Sequence, residues 1–466
     1  MYFRLKDNIS LRSWERVRGA VYYKEMPYAT GVTAGELQIL IMSDGEHDIE
    51  ETEITDNLIK KGLIEPCEKG EHPSEWSSYK SYDNRYFPKM NLMITGKCNY
   101  NCLHCFNAAD NAPLMTEWKF DELTDLLDQA RDCGIHAFTI TGGEPMLHPR
   151  FMDIIREIYK RDMFVEELNT NGYFLSQEKL DEMKETGCRP CIKISFDGIG
   201  HHDWLRNHKG AEKRTLDAME LCIKNGYSII SQTQVHRRNL ECLLPTAKLL
   251  NDTGVDMMRL IRTTDVPRWH ENAPDSCLEI EEYYGRMLEF MSEYKDSALN
   301  MDIIIWQFMR AYPKSRSYHL DPVLCASGNY KDSDPICKGN RGMIAVTSDG
   351  EVVPCMQMSG YFKEKNLHLG NLHDTPLHDL LSGGAYLDSV CADLHKQLEY
   401  SKKCAECDYY KYCNGGCPAL AILYTGSMLG ADPAKCLFFE KGWYEKSVKV
   451  MEGWRNTTEI NKEEPS

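Results

Sequence analysis

The chain has 466 residues, of which 42% are hydrophobic and 27% are charged, a composition typical of a globular protein with two or three domains. The formal net charge of −17 argues against a general phosphate-binding surface, so we expect no nucleic-acid partner. No apolar run is long enough to span a membrane and the charged N-terminus has no apolar signal core, so we expect a cytoplasmic protein with no membrane partner.

Residues 1–75 are predicted to form a small module of strands and helices. YFRL and GAVYYKEM have the composition of short strands, and VTAGELQILIMSDG has helical spacing with Thr33 as the N-cap. EITDNLIKKGLIEP predicts a helix that runs into a return strand, with Gly62 at the break. This order is typical of a winged-helix module, although a simple packing domain is the alternative. The polar residues 76–87 are predicted to be a linker.

From residue 88 the pattern changes to alternating strands and helices. Six short runs predict strands: MNLMIT, AFTIT, VEELNT, IKISF, SIISQTQV and DMMRLI. Helical segments such as EWKFDELTDLLDQARDCG and RFMDIIREIYKRD separate them. Over residues 88–310 these units imply an α/β fold with a parallel sheet, either an open barrel or a doubly wound sheet. Functional groups then belong at the carboxyl ends of the strands.

The stretch GKCNYNCLHCFN follows the first of these strands and carries Cys98, Cys102 and Cys105 with C-x3-C-x2-C spacing. A closed zinc site has four ligands, so one interpretation is that these cysteines are three of the four ligands of a zinc ion. Iron–sulfur clusters are held by thiolates, normally one per iron, so three thiolates on a four-iron cluster would leave one iron open. An open iron suits a redox catalyst, because a substrate or cofactor can bind there.

This spacing, together with TGGEP, NTNG, SFDG and HDWLR after later strands, resembles the radical S-adenosylmethionine (SAM) enzymes over roughly residues 88–290. The resemblance implies a partial (β/α)6 barrel and a [4Fe-4S] cluster whose open iron chelates the amino and carboxylate groups of SAM. In this family an electron from the cluster cleaves SAM to methionine and a 5′-deoxyadenosyl radical, which abstracts hydrogen from the substrate.

The resemblance also implies contacts to SAM. The residue before the third cysteine is usually aromatic and lies against the adenine, and the glycine-rich segment holds the amine with backbone groups and a carboxylate. Later segments contact the ribose and the carboxylate, the latter through the arginine of HDWLR. The matching positions in this chain are His104, Gly142, Gly143, Glu144, Asn171, Ser195, Asp197 and Arg206.

Residues 311–440 contain a second set of cysteines, which closely resembles the SPASM extension of radical SAM enzymes and its two auxiliary four-iron clusters. By the family pattern, auxiliary cluster I is held by Cys337, Cys355 and Cys417. Auxiliary cluster II is held by Cys404, Cys407, Cys413 and Cys436. Cys325 is the candidate for the missing ligand of cluster I, and an open iron that binds substrate is the competing interpretation. A pair of zinc knuckles is the alternative interpretation of all these cysteines.

Residues 441–466 are predicted to be a C-terminal tail with a mobile end.

The resemblance implies an enzyme with three [4Fe-4S] clusters, SAM, and a reductant such as flavodoxin or ferredoxin. SPASM enzymes commonly act on peptides, and residues 1–75 resemble the recognition element that binds the leader of a ribosomally synthesised precursor peptide. The leader would add as a strand beside YFRL or YYKEM, with the core peptide near SAM. The leading hypothesis is therefore a peptide maturase that forms a thioether or carbon–carbon crosslink with loss of two hydrogens.

Three alternatives stay open. An anaerobic sulfatase maturase carries an aspartate after the cysteine that corresponds to Cys355, where this chain has Met356. A peptide epimerase often lacks the C-terminal extension. A non-catalytic peptide-binding or electron-transfer protein would not need the three cysteines of the first cluster together with Glu144.

Overall fold

The computed structural model describes residues 1–105, 107, 115–263 and 267–460. Its N-terminal elements are β1 (Tyr2–Leu5), β2 (Ile9–Trp14), β3 (Val17–Tyr23), β4 (Thr30–Gly31), α1 (Ala34–Met42), β5 (Asp44–Asp48), α2 (Glu53–Lys60), β6 (Ile64–Cys67) and β7 (Lys80–Ser81). Thr33 caps α1 as expected, because its hydroxyl accepts the N–H of Glu36 and its own N–H donates to the Glu36 carboxylate. Gly62 has φ of +71° and separates α2 from β6, as the sequence predicts.

The placement of β1 corrects one expectation. β1, the YFRL strand, lies in the centre of a three-stranded sheet of order β5-β1-β6 and pairs antiparallel with both neighbours. A leader peptide therefore cannot add beside YFRL, because both edges of that strand already pair. β3 lies in a second sheet of order β4-β3-β2-β7, where β4 pairs with it only at Ala20 and Val21. The end of β3 that runs into YYKEM is the remaining candidate of the two.

Residues 76–87, the predicted linker, pack against the N-terminal module. β7 pairs in parallel with β2, and the buried guanidinium of Arg12 donates to the carbonyl oxygens of Trp76 and Ser78, each at 2.6 Å. A buried guanidinium needs acceptors, and the backbone of this polar segment supplies them. Composition alone shows the polarity of the segment and not this pairing.

The central part of the chain forms a parallel sheet covered by helices. Its elements are β8 (Lys89–Thr95), α3 (Phe120–Asp132), β9 (Ala137–Gly142), α4 (Phe151–Lys160), β10 (Phe164–Thr170), α5 (Gln177–Glu185), β11 (Cys191–Ser195), α6 (His202–Arg206), α7 (Ala211–Lys224), β12 (Ile229–Val235), α8 (Leu243–Thr253), β13 (Met257–Arg262), α9 (Pro267–Asn272), α10 (Ile280–Asp296) and β14 (Asp302–Ile305). Strands β8 to β13 coincide with the six predicted strands, and β14 adds a seventh parallel strand. The spatial order of β8 to β14 is their chain order, which is the arrangement of a partial barrel. In a doubly wound sheet the order would reverse direction.

The C-terminal part extends this sheet at both edges. Its elements are β15 (Met309–Tyr312), β16 (Ser317–Leu320), α11 (Lys338–Gly342), β17 (Met343–Val346), β18 (Val352–Val353), α12 (Ser359–Glu364), α13 (Leu377–Leu380), α14 (Ala385–Val390), α15 (Leu394–Tyr400), α16 (Lys402–Ala405), α17 (Tyr410–Cys413), α18 (Pro418–Thr425), α19 (Pro433–Glu440), α20 (Trp443–Val450) and β19 (Arg455–Asn456). β17 pairs in parallel with β8, while β15, β16 and β19 continue the sheet beyond β14. The barrel and the cysteine-rich region therefore share one sheet.

The predicted tail is largely packed. β19 pairs with β16, and Tyr444, Met451 and Ile460 are buried in the large apolar core of the barrel. The polar composition of the segment predicts a mobile end, but these scattered apolar side chains anchor the part up to residue 460. Residues 461–466 lie outside the described part. Within that part, no helix combines the length and the apolarity that a membrane crossing needs.

Candidate functional site

The three cysteines of the C-x3-C-x2-C motif lie together in the loop that follows β8. The backbone N–H of Tyr100 points at the Cys98 thiol at 3.4 Å, and the N–H of Cys105 donates to the carbonyl oxygen of Cys102 at 3.3 Å. The pKa of the Cys98 thiol is raised to about 12, mainly by burial and in addition by the charges of Cys102, Glu144 and Cys105. These interactions require proximity, so the structure places the three thiols near one another and near Glu144. Their role as the ligands of one cluster stays a prediction.

Gly142 and Gly143 fit directly against the backbone that leads into this loop. A Cβ atom on Gly143 would lie 2.3 Å from the carbonyl oxygen of Lys97, and one on Gly142 would lie 2.4 Å from that of Thr95. The N–H groups of Gly143 and Glu144 donate to the carbonyl oxygens of Thr95 and Lys97 at 2.8 and 2.9 Å. The two glycines therefore dock the end of β9 onto the cysteine loop, and the next residue, Glu144, points into the site.

Glu144 is fully buried and is held by protein donors. Its carboxylate accepts the N–H of Met146 at 3.2 Å, the N–H of Asn171 at 2.8 Å and the hydroxyl of Thr170 at 2.8 Å. Burial raises the pKa of Glu144 to about 7, against the lowering effect of these hydrogen bonds. A buried carboxylate with so high a pKa lacks a cationic partner, and the ammonium group of a ligand could supply one.

Asp197 is also buried, but it already has its cation. Arg206 forms a two-pronged ion pair with it, with Nε to Oδ2 at 2.6 Å and Nη2 to Oδ1 at 2.9 Å. Burial opposes ionisation, yet Arg206 and His202 hold the pKa of Asp197 far below its usual range. Nη1 of Arg206 lies 3.8 Å from the thiol of Cys102. Asp197 thus positions Arg206 at the edge of the cysteine loop, where the predicted carboxylate contact would be made.

Asn171, Ser195 and His104 complete the predicted set. Nδ2 of Asn171 donates to Oδ1 of Asn99 at 2.8 Å, which ties the end of β10 to the cysteine loop. Ser195 ends β11. Nδ1 of His104 is buried without a hydrogen-bond partner among the described residues, and burial lowers the pKa of His104 to about 3. Its imidazole is therefore neutral near pH 7, which suits a planar ring against an adenine.

A second group of thiols lies where the C-terminal part meets the barrel. The pKa of Cys417 is raised to about 12, mainly by burial and in addition by Asp432, Cys355 and Cys337. These three cysteines are the predicted ligands of auxiliary cluster I. Nε2 of Gln307, which follows β14, lies 3.2 Å from the Cys417 thiol. Barrel and cysteine-rich region therefore meet at this group.

A third group contains the four cysteines predicted for auxiliary cluster II. The pKa of Cys413 is raised to about 12, mainly by burial and in addition by the thiols of Cys404, Cys407 and Cys436. These four thiols lie near one another, and the interleaved ligand grouping expected from the family pattern stays a prediction. Thiols are the ligand type of iron–sulfur clusters and of structural zinc. In the described part, no three Cys, His, Asp or Glu side chains are arranged to hold a metal ion.

Cys325 lies near these groups without joining them. Its N–H donates to the carbonyl oxygen of Tyr412 at 3.0 Å, and its thiol lies 3.7 Å from the hydroxyl of Ser327. Burial raises the pKa values of Cys337 and Cys355, and among the described residues Cys325 is not one of the groups that shift them. Its assignment as a fourth ligand stays a prediction without a supporting contact.

Comparison with protein families separates the interpretations of these cysteines. The Radical SAM superfamily matches residues 92–250, and SPASM, described as an iron-sulfur cluster-binding domain, matches residues 337–408. The chain therefore contains a radical SAM domain and a SPASM domain. The radical SAM domain contains Cys98, Cys102 and Cys105 and implies a [4Fe-4S] cluster and SAM in the barrel. The SPASM domain implies further iron–sulfur chemistry.

Similar sequences include heme and pre-heme d1 synthases. The AdoMet-dependent heme synthase of Methanosarcina barkeri is 27% identical over 73% of this chain and 93% of its own length. The pre-heme d1 synthase of Dinoroseobacter shibae is 24% identical over 73% of this chain and 84% of its own length.

Among solved structures, the radical SAM and SPASM domains resemble enzymes crystallised with peptides. Streptococcus suis SuiB bound to its precursor peptide SuiA has a TM-score of 0.67 and 14% identity, covering 93% of this chain and 99% of that one. The enzyme anSMEcpe with bound AdoMet and the Kp18Cys peptide has a TM-score of 0.57 and 18% identity, covering 78% of this chain and 99% of that one. These likenesses confirm the predicted fold, a partial barrel followed by a SPASM domain.

One pair of stacked side chains inside the barrel was not predicted from the sequence. Arg259 in β13 stacks on the ring of Trp306, with the guanidinium carbon 3.7 Å from the ring centroid. Trp306 also lines an apolar cleft with Ile261, Gln357 and Leu420 at the contact with the SPASM domain. The sequence signal that could have indicated it was an arginine between apolar residues in the strand segment DMMRLI.

Proposed function

We propose that this radical SAM enzyme modifies a ribosomally synthesised precursor peptide and binds its leader through residues 1–75. The observation that carries the proposal is the extent of the likeness to SuiB. It leaves about 7% of the chain uncovered, roughly 33 residues, so it must extend into the 75-residue module. The heme synthases and anSMEcpe match 73% and 78% of the chain.

The leader would add as an extra strand to the N-terminal module, where main-chain hydrogen bonds supply affinity and side chains supply specificity. The end of β3 at YYKEM is the proposed edge, because β4 pairs with β3 only at Ala20 and Val21. Met26 and Tyr28, which are 54% and 57% exposed beyond this edge, offer apolar contact area. The core peptide would then enter the cleft beside Trp306.

In this proposal the three thiol groups hold three [4Fe-4S] clusters. Cys98, Cys102 and Cys105 hold the first, and a flavodoxin or ferredoxin reduces it. When bound, this cluster and SAM supply a radical that abstracts hydrogen from the substrate. The chain's own residues orient SAM. The buried carboxylate of Glu144, which has no cationic partner in the protein, binds the amine of SAM. Arg206, which is held by Asp197, binds the carboxylate of SAM.

The two auxiliary sets would accept the electron that remains after hydrogen abstraction. The net change in the peptide is the loss of two hydrogens as a thioether or carbon–carbon crosslink forms. The sulfatase-maturase alternative expects an acid after Cys355, and Met356 is a buried apolar side chain there. An epimerase would leave the mass of the peptide unchanged.

The test is anaerobic co-expression with the small peptide encoded beside this gene, followed by mass spectrometry. A loss of two hydrogens per site, located by fragmentation, is expected. Replacement of Cys98, Cys102 and Cys105 by alanine should abolish SAM cleavage and leave leader binding to the full chain unchanged. An unchanged peptide mass, with no deuterium gained from solvent, would contradict peptide modification by the active enzyme.

A heme precursor is the second candidate substrate, favoured by the 24–27% identity to the heme and pre-heme d1 synthases. Those relatives match 73% of the chain, which leaves room for the N-terminal module outside the likeness. Anaerobic incubation with SAM, a reductant and a heme precursor tests this candidate. A change in the absorption spectrum of the tetrapyrrole, with no change in the peptide, would replace the first proposal with the second.

A further inference from the structure

Arg259 faces the interior of the barrel. Its neighbours along β13, Met258 and Leu260, are fully buried in the apolar core outside the sheet. Because successive side chains of a strand point to opposite faces, Arg259 points inward. It pairs in register with Gln232 of β12, which pairs in turn with Ser195 of β11. Arg259 therefore lies in the same layer as a residue predicted to contact SAM.

The guanidinium of Arg259 has fewer partners than it can use. One face stacks on Trp306, and Nη1 lies 3.5 Å from Oε1 of Gln232, a long hydrogen bond. Nε is buried without a hydrogen-bond partner in the part of the chain that the structure describes. A guanidinium carries five N–H donors, so most of its capacity is available to a ligand.

The nearby carboxylates are already paired with other cations. Glu167 forms an ion pair with Lys193 at 2.6 Å, and Asp321 forms one with Arg310 at 2.8 Å. Each of these carboxylates therefore already has its own cation, and the remaining group that raises the pKa of Arg259 is the thiol of Cys355. Burial lowers the pKa of Arg259 to about 10, so the guanidinium is still protonated near pH 7.

A partly buried guanidinium that lacks a paired carboxylate gains from binding one, because burial removes part of its hydration. The planar fork of arginine matches a carboxylate in two-pronged geometry. The position fits a substrate group, since Trp306 both stacks on Arg259 and lines the cleft. Gln307, the next residue, also lines the cleft and contacts the Cys417 thiol.

We infer that Arg259, with Gln232 and Trp306, forms a subsite that binds a carboxylate of the substrate inside the barrel. This inference rests on the proposed function for the source of that carboxylate, an aspartate or glutamate side chain of the core peptide. Arg259 fixes the acidic group between the residues predicted to contact SAM and the thiols predicted to hold auxiliary cluster I. It thereby selects which neighbouring carbon of the substrate is presented to the radical.

The experiment uses benzoate as the probe and benzamide as its neutral counterpart, because each joins a flat apolar ring to the group under test. Saturation-transfer NMR on the cluster-reconstituted full chain measures the affinity for both. We expect benzoate to bind, and Arg259→Gln to weaken it about tenfold or more, as the loss of hydrogen bonds to a charged group predicts. Arg259→Lys should weaken it less, because the charge remains while the fork is lost.

Arg237→Gln is the matched control, since Arg237 is a surface guanidinium paired with Glu282. It should leave benzoate binding unchanged, and circular dichroism and iron content should match for all variants. Equal binding of benzoate and benzamide would overturn the subsite, as would benzoate binding that survives Arg259→Gln. The subsite would also be overturned if Arg259→Gln shifted the reduction potential of an auxiliary cluster and left benzoate binding intact. Arg259 would then compensate the charge of that cluster.

Competition identifies the source of the carboxylate. The precursor peptide should displace benzoate, and replacing its aspartates and glutamates by asparagine and glutamine should abolish that displacement. A heme precursor that displaces benzoate until its carboxylates are esterified would support the subsite and contradict the peptide proposal. If neither displaces benzoate at saturating concentration, the subsite is not a substrate site and the inference fails.

Discussion

Two buried carboxyl groups in the site differ in whether a cation faces them. Asp197 is paired with Arg206, and its pKa is held far below the usual range. Glu144 is held by neutral donors, and burial raises its pKa to about 7. The two environments assign different roles, since Asp197 is satisfied by the protein and Glu144 is prepared for a positively charged ligand.

This contrast predicts how the pH changes the stability of the SAM-free protein. The pKa of Glu144 is about 7 when folded, against an ordinary value of 4.5. Between these pH values the folded form keeps a proton that the unfolded form has lost, so stability falls as the pH rises. The difference of roughly 2.5 pKa units corresponds to about 3 kcal/mol.

Glu144→Gln should remove this dependence, because glutamine does not titrate. Differential scanning fluorimetry of both proteins from pH 4.5 to 8 would measure it. The apparent Tm of the variant relative to the wild type should rise across this range, whatever constant offset the amide introduces. A difference in Tm that does not change with pH would contradict the raised pKa. Saturating SAM should reduce the effect by supplying the cation.

At the scale of elements, the end of β9 is shaped by its contact with the cysteine loop. Gly143→Ala would place a Cβ atom 2.3 Å from the backbone oxygen of Lys97, an atom that cannot rotate away. The loop must then move, and with it Cys98. We expect this variant to lose most of the iron of the first cluster and to retain the auxiliary iron, as measured by iron content and by electron paramagnetic resonance.

Gly383→Ala is the control for that variant, because a Cβ atom there meets nothing within 4 Å. It should bind as much iron as the wild type. Full first-cluster iron in Gly143→Ala would mean that the close approach does not position the loop. Equal loss of iron from all clusters would indicate general misfolding.

The elements also show what the sequence could predict. The alternating runs of the barrel place all six predicted strands correctly, because each strand repeats one pattern over at least five residues. β7 and β19 have two residues each, too few for a pattern, so the segments 76–87 and 441–466 were assigned by polarity alone. Their packing depends on distant partners, Arg12 for the first and Tyr318 for the second.

The same limit applies within the site. The cysteines and Glu144 were predictable because a short motif carries the chemistry at fixed spacing. Arg259 was not, because its role depends on which carboxylates are already paired. That Glu167 is paired with Lys193 and Asp321 with Arg310 is a property of the assembled barrel. The central position of β1 is likewise a property of the sheet and not of the YFRL segment.

For the whole molecule, two apolar cores are the largest among the described residues. One core belongs to the N-terminal module and includes Phe3, Leu40 and Leu58. The other extends from Phe87 to Ile460 and joins the barrel to the C-terminal part. Since β17 and β16 also continue the barrel sheet at its two edges, the radical SAM and SPASM domains should unfold as one unit.

Two matched truncations of fully buried side chains test this division. Leu58→Ala removes apolar contacts from the N-terminal core, and Phe438→Ala removes them from the common core. Each should cost about 2–5 kcal/mol in the unit that contains it. Leu58→Ala should therefore loosen only residues 1–75 and weaken leader binding, while the iron content and SAM cleavage stay at wild-type levels. Phe438→Ala should lower the stability of barrel and SPASM domain together.

Hydrogen exchange with mass spectrometry distinguishes the outcomes by region. Faster exchange in α1 and α2 alone is expected for Leu58→Ala. For Phe438→Ala we expect faster exchange in both α19 and β13, although these elements lie about 170 residues apart in the chain. Exchange confined to the C-terminal part would contradict a shared core. It would mean that the continuous sheet does not couple the two domains energetically.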